Sequence, residues 1–106
     1  TAPEANGKLA ASPHTLELIR RGMHRAVNAP GGGAKQARNS KIELSGKTGT
    51  AEVGSRENRY KNTWFTGFGT DPKTGKTYAI TVMVMHGVGG GKTAAPLASR
   101  FFEQWL

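Results

Sequence analysis

Thr63-Trp64-Phe65-Thr66-Gly67-Phe68-Gly69-Thr70 is followed by Asp71-Pro72-Lys73-Thr74-Gly75-Lys76 and then by Thr77-Tyr78-Ala79-Ile80-Thr81-Val82-Met83-Val84-Met85. The first and third runs are dense in aromatic and β-branched side chains, which pack well on a pleated surface. Between them lie Asp, Pro and Gly, each suited to a tight reversal of the chain. The stretch predicts a β-hairpin. Because Ala79 to Met85 is almost continuously apolar, it also predicts a last strand covered on both faces, with helices on both sides of the sheet.

Working outward, Ile42 to Thr50 has β-type ends and glycines at 46 and 49, the pattern of a third strand whose backbone is closely approached. Glu52 to Asn62 reads as a charged loop joining it to the hairpin. Further upstream, Ser12-Pro13 supplies an N-cap and a first-turn proline. Leu16, Ile19, Met23 and Val27 then recur on one helical face, while Glu17, Arg20, Arg21, His24 and Arg25 point elsewhere, so a helix over 13–28 turns one apolar stripe to a core. Glu17 and Arg21 stand at i,i+4 spacing for an ion pair. Ala29-Pro30-Gly31-Gly32-Gly33 ends that helix, and the polar stretch to Asn39-Ser40 reads as a flexible connection. Beyond the hairpin, Gly87 to Gly91 is a turn. Ala94, Leu97, Ala98, Phe101, Phe102 and Trp105 then trace a final apolar helical stripe. The expected fold class is α+β: helix, three antiparallel strands, helix.

With 106 residues the chain can bury one modest core. Its apolar runs are far shorter than the roughly 20 residues of a membrane span, its mean hydropathy is −0.51, and no signal peptide is visible at Thr1. There are no cysteines, which excludes thiolate metal sites and thiol nucleophiles, and the histidines at 14, 24 and 86 lack metal-ligand spacing. The net charge of +8 divides into +5 over residues 1–50 and +3 over 51–106. A spread excess favours general attraction to anions over a code-reading nucleic-acid domain. Glu43, Glu52, Glu57 and Asp71 form no acid/base pair of the hydrolytic kind. Trp64, Phe65, Phe68, Phe101, Phe102 and Trp105 repeat at the periods of buried faces and read as core.

Two segments carry possible chemistry. His86-Gly87-Val88-Gly89-Gly90-Gly91-Lys92-Thr93 follows a strand and opens a helix, as a phosphate-binding loop does, but its first glycine is displaced by one position and no second acid-bearing strand follows. A turn opposite the active-site strand is the plainer reading. The other segment is Ser45-Gly46-Lys47-Thr48-Gly49-Thr50-Ala51-Glu52-Val53, a Lys-Thr-Gly on a strand. Its context includes Ile19-Arg20-Arg21-Gly22-Met23 and Gly31-Gly32-Gly33-Ala34 upstream, then Trp64-Phe65-Thr66-Gly67-Phe68 and Ala94-Ala95-Pro96-Leu97-Ala98 downstream.

On these motifs, residues 12–106 resemble the C-terminal part of the transpeptidase domain of class B penicillin-binding proteins, within the serine D,D-transpeptidase and β-lactamase superfamily. The resemblance implies that residues 1–106 carry three strands of a five-stranded sheet and the C-terminal helix of one such domain. It implies that Lys47 steers substrate and tunes proton transfer. The Thr48 and Thr50 hydroxyls would hold the terminal carboxylate of a D-Ala-D-Ala stem peptide or a β-lactam, and the Thr50 backbone N–H would form one arm of an oxyanion hole. Gly49 would keep the strand open for a substrate laid along it. No metal, organic cofactor or nucleic acid is implied, and the setting would be periplasmic, anchored by a segment outside this chain. Strand alternation places Lys47 and Gly49 on one face and Thr48 and Thr50 on the other, so convergence requires a groove along the strand's exposed edge.

No serine is followed three places on by lysine or two places on by asparagine. The acylated serine, its lysine base and the relay serine of the family are therefore absent, and the isolated chain is expected to be inactive. The missing N-terminal part of the domain would pair with the last strand. Without it that edge invites self-association. A β-lactam sensor and a serine β-lactamase are alternatives within the superfamily, and a basic nucleic-acid module or a nucleotide-binding domain is the alternative from other classes.

Overall fold

The computed structural model describes residues 2–106. Helix α1 spans Pro13–Asn28, the bounds expected from its caps. The Ser12 hydroxyl accepts from the Thr15 N–H at 3.1 Å, satisfying one of the orphan donors of the first turn. At the other end Ala29 leaves the helix in an extended conformation. Strands β1 (Glu43–Val53), β2 (Tyr60–Thr70) and β3 (Thr77–Val84) form an antiparallel meander in the order β1-β2-β3. Helix α2 (Ala95–Trp105) closes the chain. The architecture is α+β, consistent with part of a transpeptidase fold.

The β2–β3 hairpin turns where Asp71, Pro72 and Gly75 predict it. Asp71 N–H donates to the Lys76 carbonyl at 2.8 Å, the Asp71 carboxylate accepts from the Lys73 N–H at 2.9 Å, and Gly75 takes φ +74°. The β1–β2 connection is shorter than the expected Glu52–Asn62 loop. Pairing continues through Glu52↔Lys61 and Val53↔Tyr60, with an Arg59–Glu52 ion pair at 3.5 Å, so charged residues occupy strand ends. Their side chains are exposed, and β-pairing asks nothing of an exposed position beyond backbone geometry.

The register assigns two faces. Leu44, Gly46, Thr48 and Thr50 of β1, Thr63 and Phe65 of β2, and Tyr78, Ile80, Val82 and Val84 of β3 share the face against α2. The core there is Val27, Ile42, Leu44, Phe65 and Phe102 with five alanines, Ala34, Ala37, Ala94, Ala95 and Ala98. Those short side chains let α2 and the loops approach the sheet closely. On the opposite face Trp64 and Met83 stand 40% and 44% exposed.

Besides the β1–β2 loop, four expectations fail. Of the six aromatics read as core, Trp64, Phe101 and Trp105 are exposed, because only one face of the sheet and one side of α2 are covered within this chain. β3 is not covered on both faces: its residues alternate between half-buried and exposed, because α2 covers one side and nothing among the described residues covers the other. The α1 stripe is buried only at Val27, while Ile19 is half exposed. The stretch 34–41 is no flexible connection. It holds a 3₁₀ turn at Lys35–Ala37 and straps onto α2, with Arg38 Nε donating to the Val27 carbonyl at 2.9 Å and Asn39 Nδ2 to the Ser99 carbonyl at 2.6 Å. Glu103 accepts from the Ser40 N–H and hydroxyl at 2.9 and 2.7 Å.

Candidate functional site: the free edge of β1

β1 is an outer strand, and the direction of its backbone groups decides what that edge offers. The Leu44 carbonyl accepts from Asn28 Nδ2 at 2.8 Å, and the Thr48 carbonyl accepts from Lys47 Nζ at 2.6 Å. The carbonyls of Glu43 and Ser45 instead crowd the Cβ positions of Gly69 and Gly67 on β2. Antiparallel alternation then directs the N–H and C=O groups of Leu44, Gly46, Thr48 and Thr50 away from β2. The C-terminal end of α1 occupies this edge near Leu44. Farther along, the Thr48 and Thr50 groups are left on the edge.

The side chains follow the expected alternation. Lys47 is exposed on the face away from α2, yet its ammonium curls to the edge at the Thr48 carbonyl. Thr48 and Thr50 lie on the α2 face, so charge and hydroxyls meet only at the rim, as a groove along the edge requires. The two glycines differ. A Cβ on Gly46 would fall onto the Phe65 ring and within 2.8 Å of the Thr66 carbonyl oxygen, so packing inside this chain demands glycine there. A Cβ on Gly49 would meet only Trp64, at an ordinary 3.6 Å. Nothing within the chain excludes a side chain at Gly49.

Thr50 brings in a segment that sequence reading left as a mere turn. Its Oγ1 accepts from the Gly90 N–H at 3.2 Å. Residues Gly90–Ala94 form a single π-helical turn leading into α2, and Thr93 Oγ1 accepts from the Val88 N–H at 3.0 Å. These amides are thus committed inward to Thr93 and Thr50, the reverse of a loop that offers its N–H groups to phosphate. His86, with φ +57°, stacks on Tyr60 at 4.2 Å beside this segment. The glycine run is visible in the sequence, but its seat on Thr50 and Gly49 is a matter of tertiary packing.

The serine hydroxyls that are hydrogen-bonded pair with Thr15 (Ser12), Glu103 (Ser40) and the Arg38 carbonyl (Ser99); none meets a lysine or histidine. Among the described residues no cluster of His, Asp or Glu has metal-binding geometry, and no helix is long and apolar enough to cross a membrane. A second, basic hollow of about 550 Å³ lies between α1 and the sheet, lined by Arg20, Arg21, His24 and Arg25 over Ser45 and Phe68. His24 there bonds Glu43 at 2.7 Å, and Arg21 pairs with Glu17 at 3.4 Å as the spacing predicts.

The penicillin binding protein transpeptidase domain family matches residues 1–103. The chain belongs to that family. The peptidoglycan D,D-transpeptidase MrdA of Haemophilus influenzae is 34% identical over 103 residues, covering 85% of this chain and 16% of that protein. No solved structure matches the chain significantly. The chain thus spans about one sixth of the relative's length.

Proposed function

We propose that residues 1–106 form the C-terminal part of one transpeptidase domain and supply the Lys47–Thr50 wall of its active site. The enzyme would cross-link peptidoglycan stem peptides through an acyl-serine intermediate at the outer face of the inner membrane, and β-lactams would acylate it. The observation that carries this reading is the β1 edge, where the Lys47 ammonium sits beside outward-directed backbone groups of Thr48 and Thr50. An extended D-Ala-D-Ala peptide can add to such an edge as another strand.

In this reading Lys47 supplies the positive charge for the substrate's terminal carboxylate and for proton transfer at the relay serine. Thr48 and Thr50 hydroxyls donate to that carboxylate. Gly49 leaves room for the peptide, and the Thr50 N–H donates to the tetrahedral oxyanion, a contact typically worth about 10²–10³ in rate. The nucleophilic serine, its lysine base and the relay serine come from the missing N-terminal part of the same domain. No cofactor is called for, since acyl transfer between a serine ester and an amine needs only proton movement. That upstream part would also pair with β3. Without it, β3 is a free edge for self-association of the isolated chain.

Two measurements test this. The isolated chain incubated with labelled penicillin should show no covalent adduct by intact mass, because none of Ser12, Ser40, Ser45, Ser55 and Ser99 has the lysine base three places on that the family uses. A stoichiometric penicilloyl adduct on any of them would refute the assignment. In the full-length protein Lys47→Ala should lower acylation by orders of magnitude while the thermal midpoint stays put. Equal rates for mutant and parent would remove Lys47 from the site.

A further inference from the structure

Three glycine-rich segments meet behind the β1 edge. Gly90 lies against the strand so closely that a Cβ on it would stand 2.8 Å from both the N and the O of Gly49 and 2.7 Å from the Trp64 carbonyl oxygen. On its other side the next residue packs on the loop after α1: a Cβ on Gly91 would stand 2.6 Å from the Gly33 carbonyl oxygen. The stack therefore runs Gly33, Gly91, Gly90, Gly49. It is pinned at three points. Gly87 N–H donates to the Lys61 carbonyl at 2.9 Å, Gly90 N–H to Thr50 Oγ1 at 3.2 Å, and Thr93 Oγ1 accepts from the Val88 N–H at 3.0 Å. The π-helical turn, a rare conformation, is what brings Gly90 into this position.

We infer that the Gly87–Thr93 segment is a strut that positions the Gly49–Thr50 backbone for catalysis, with Gly90 and Thr93 as positioning residues. This rests on the active-site reading given above for Lys47–Thr50. The physical reason is that β1 is an edge strand. With only one hydrogen-bonded neighbour, the Thr50 amide would be free to shift by fractions of an ångström as the strand flexes, and a displacement of about 1 Å at a reacting centre can cost on the order of 10²-fold. Backbone packed on backbone, possible here because Gly90 and Gly91 carry no Cβ, blocks that movement from behind and leaves the front of the edge clear. The strut also orients the Thr50 hydroxyl. A threonine hydroxyl has one hydrogen and two lone pairs; the Gly90 N–H takes a lone pair, which leaves the hydrogen to be donated outward to an anionic ligand.

The test uses the full-length protein and a fluorescent penicillin, separating the acylation rate constant at saturation from the dissociation constant of the preceding complex. Gly90→Ala should lower the saturating rate constant by about 10–100-fold and raise the dissociation constant by less than about tenfold, since it displaces the oxyanion donor and loosens the Thr50 hydroxyl but leaves the lysine in place. Gly22→Ala, on α1 with nothing within 4 Å of the added Cβ, should match the parent. A Gly90→Ala protein that acylates like the parent would overturn the strut. If Gly90→Ala does not fold, the Thr93 pair decides: Thr93→Val should lower the saturating rate constant about 3–10-fold, and Thr93→Ser, which keeps the hydroxyl, should restore it. Parent-like rates in Thr93→Val, or equal losses in both, would overturn the inference. A parent protein that penicillin does not acylate at all would instead overturn the active-site reading beneath it.

Discussion

Along the β1 edge the exposed groups are an ammonium, two threonine hydroxyls and outward backbone amides, with α1 at one end and the Gly90 strut behind. Along the β3 edge they are methionines and aromatics. Met83 and Met85 stand 44% and 53% exposed, and a groove of about 540 Å³ between β3 and α2 is lined by Tyr78, Ile80, Val82, Leu97, Phe101 and Trp105. The outer aromatics pack on one another, Tyr78 on Trp105 at 4.9 Å and Phe101 on Trp105 at 5.5 Å, but leave that wall open. The difference teaches that support and exposure are distributed by use. The edge proposed to hold a ligand is braced by this chain's own backbone, whereas the apolar edge has the composition of a surface made to be covered.

The comparison breaks first at the two glycines of β1. Gly49→Ala in the full-length protein should cost acylation about tenfold or more, since a methyl would intrude on a peptide added to the edge, while stability changes by less than about 1 kcal/mol because the chain itself has room. Gly46→Ala should do the opposite in kind. Its methyl meets the Phe65 ring and the Thr66 carbonyl, so stability should fall by about 1–3 kcal/mol through overpacking. Denaturant melts and acylation rates measured on both variants give the answer. A Gly49 variant that loses stability and keeps activity would mean that the edge is structural and not a ligand site.

The β3 edge gives a smaller effect. The isolated chain should self-associate at high concentration, by edge pairing or exchange of α2, and Met83→Lys should weaken that association by about tenfold or more, because a charge on an edge strand discourages pairing. Sedimentation velocity of the two chains distinguishes them. A parent chain that stays strictly monomeric, with the β3 amides protected from exchange, would show that this edge is closed already.

Both edges rest on elements that the sequence makes legible to different degrees. Ser12-Pro13 and Ala29-Pro30 mark the ends of α1 because capping is local, and Asp71 to Lys76 mark the hairpin for the same reason. Lys47-Thr48-Gly49-Thr50 stands out in the sequence through residue types at fixed spacing, and the proposed site rests on that segment. What escaped was packing between distant segments. Periodicity marks Ile19 and Val27 equally as an apolar face but says nothing of which segment covers each, and so Ile19 stands half exposed. A glycine run signals a turn and a close approach in the same letters, which is why 29–33 reads as a helix end and 87–91 as a turn, while the contact of Gly91 with Gly33 and of Gly90 with Gly49 lies beyond the sequence. The connection after Gly33, the strap onto α2, reads as flexible because the bonds that tie Asn39, Ser40 and Lys41 down run to Ser99 and Glu103, about 60 residues away and beyond any local pattern.

That strap yields the last and smallest expected effect. Hydrogen bonds from the Ser40 hydroxyl and the Ser40 N–H, with Lys41 nearby, hold the Glu103 carboxyl below the ordinary glutamate range, against a minor opposing contribution from burial. A carboxylate whose folded value lies below its unfolded value binds fewer protons in the folded state, so it adds stability above the ordinary glutamate pKa and loses it as pH falls through the lowered one. The side chain is half-buried at the surface and screened by water, so the loss should be modest, and it should be local before it is global. Amide exchange at Ser40, compared between about pH 6 and about pH 3 after correction for intrinsic rates, should quicken in the parent. In Glu103→Gln it should be fast at both ends, because the amide keeps an acceptor but not the charge that makes the bond strong. Parent exchange that stays flat across that range would show that the strap is held by its bonds to Ser99 and α2 alone.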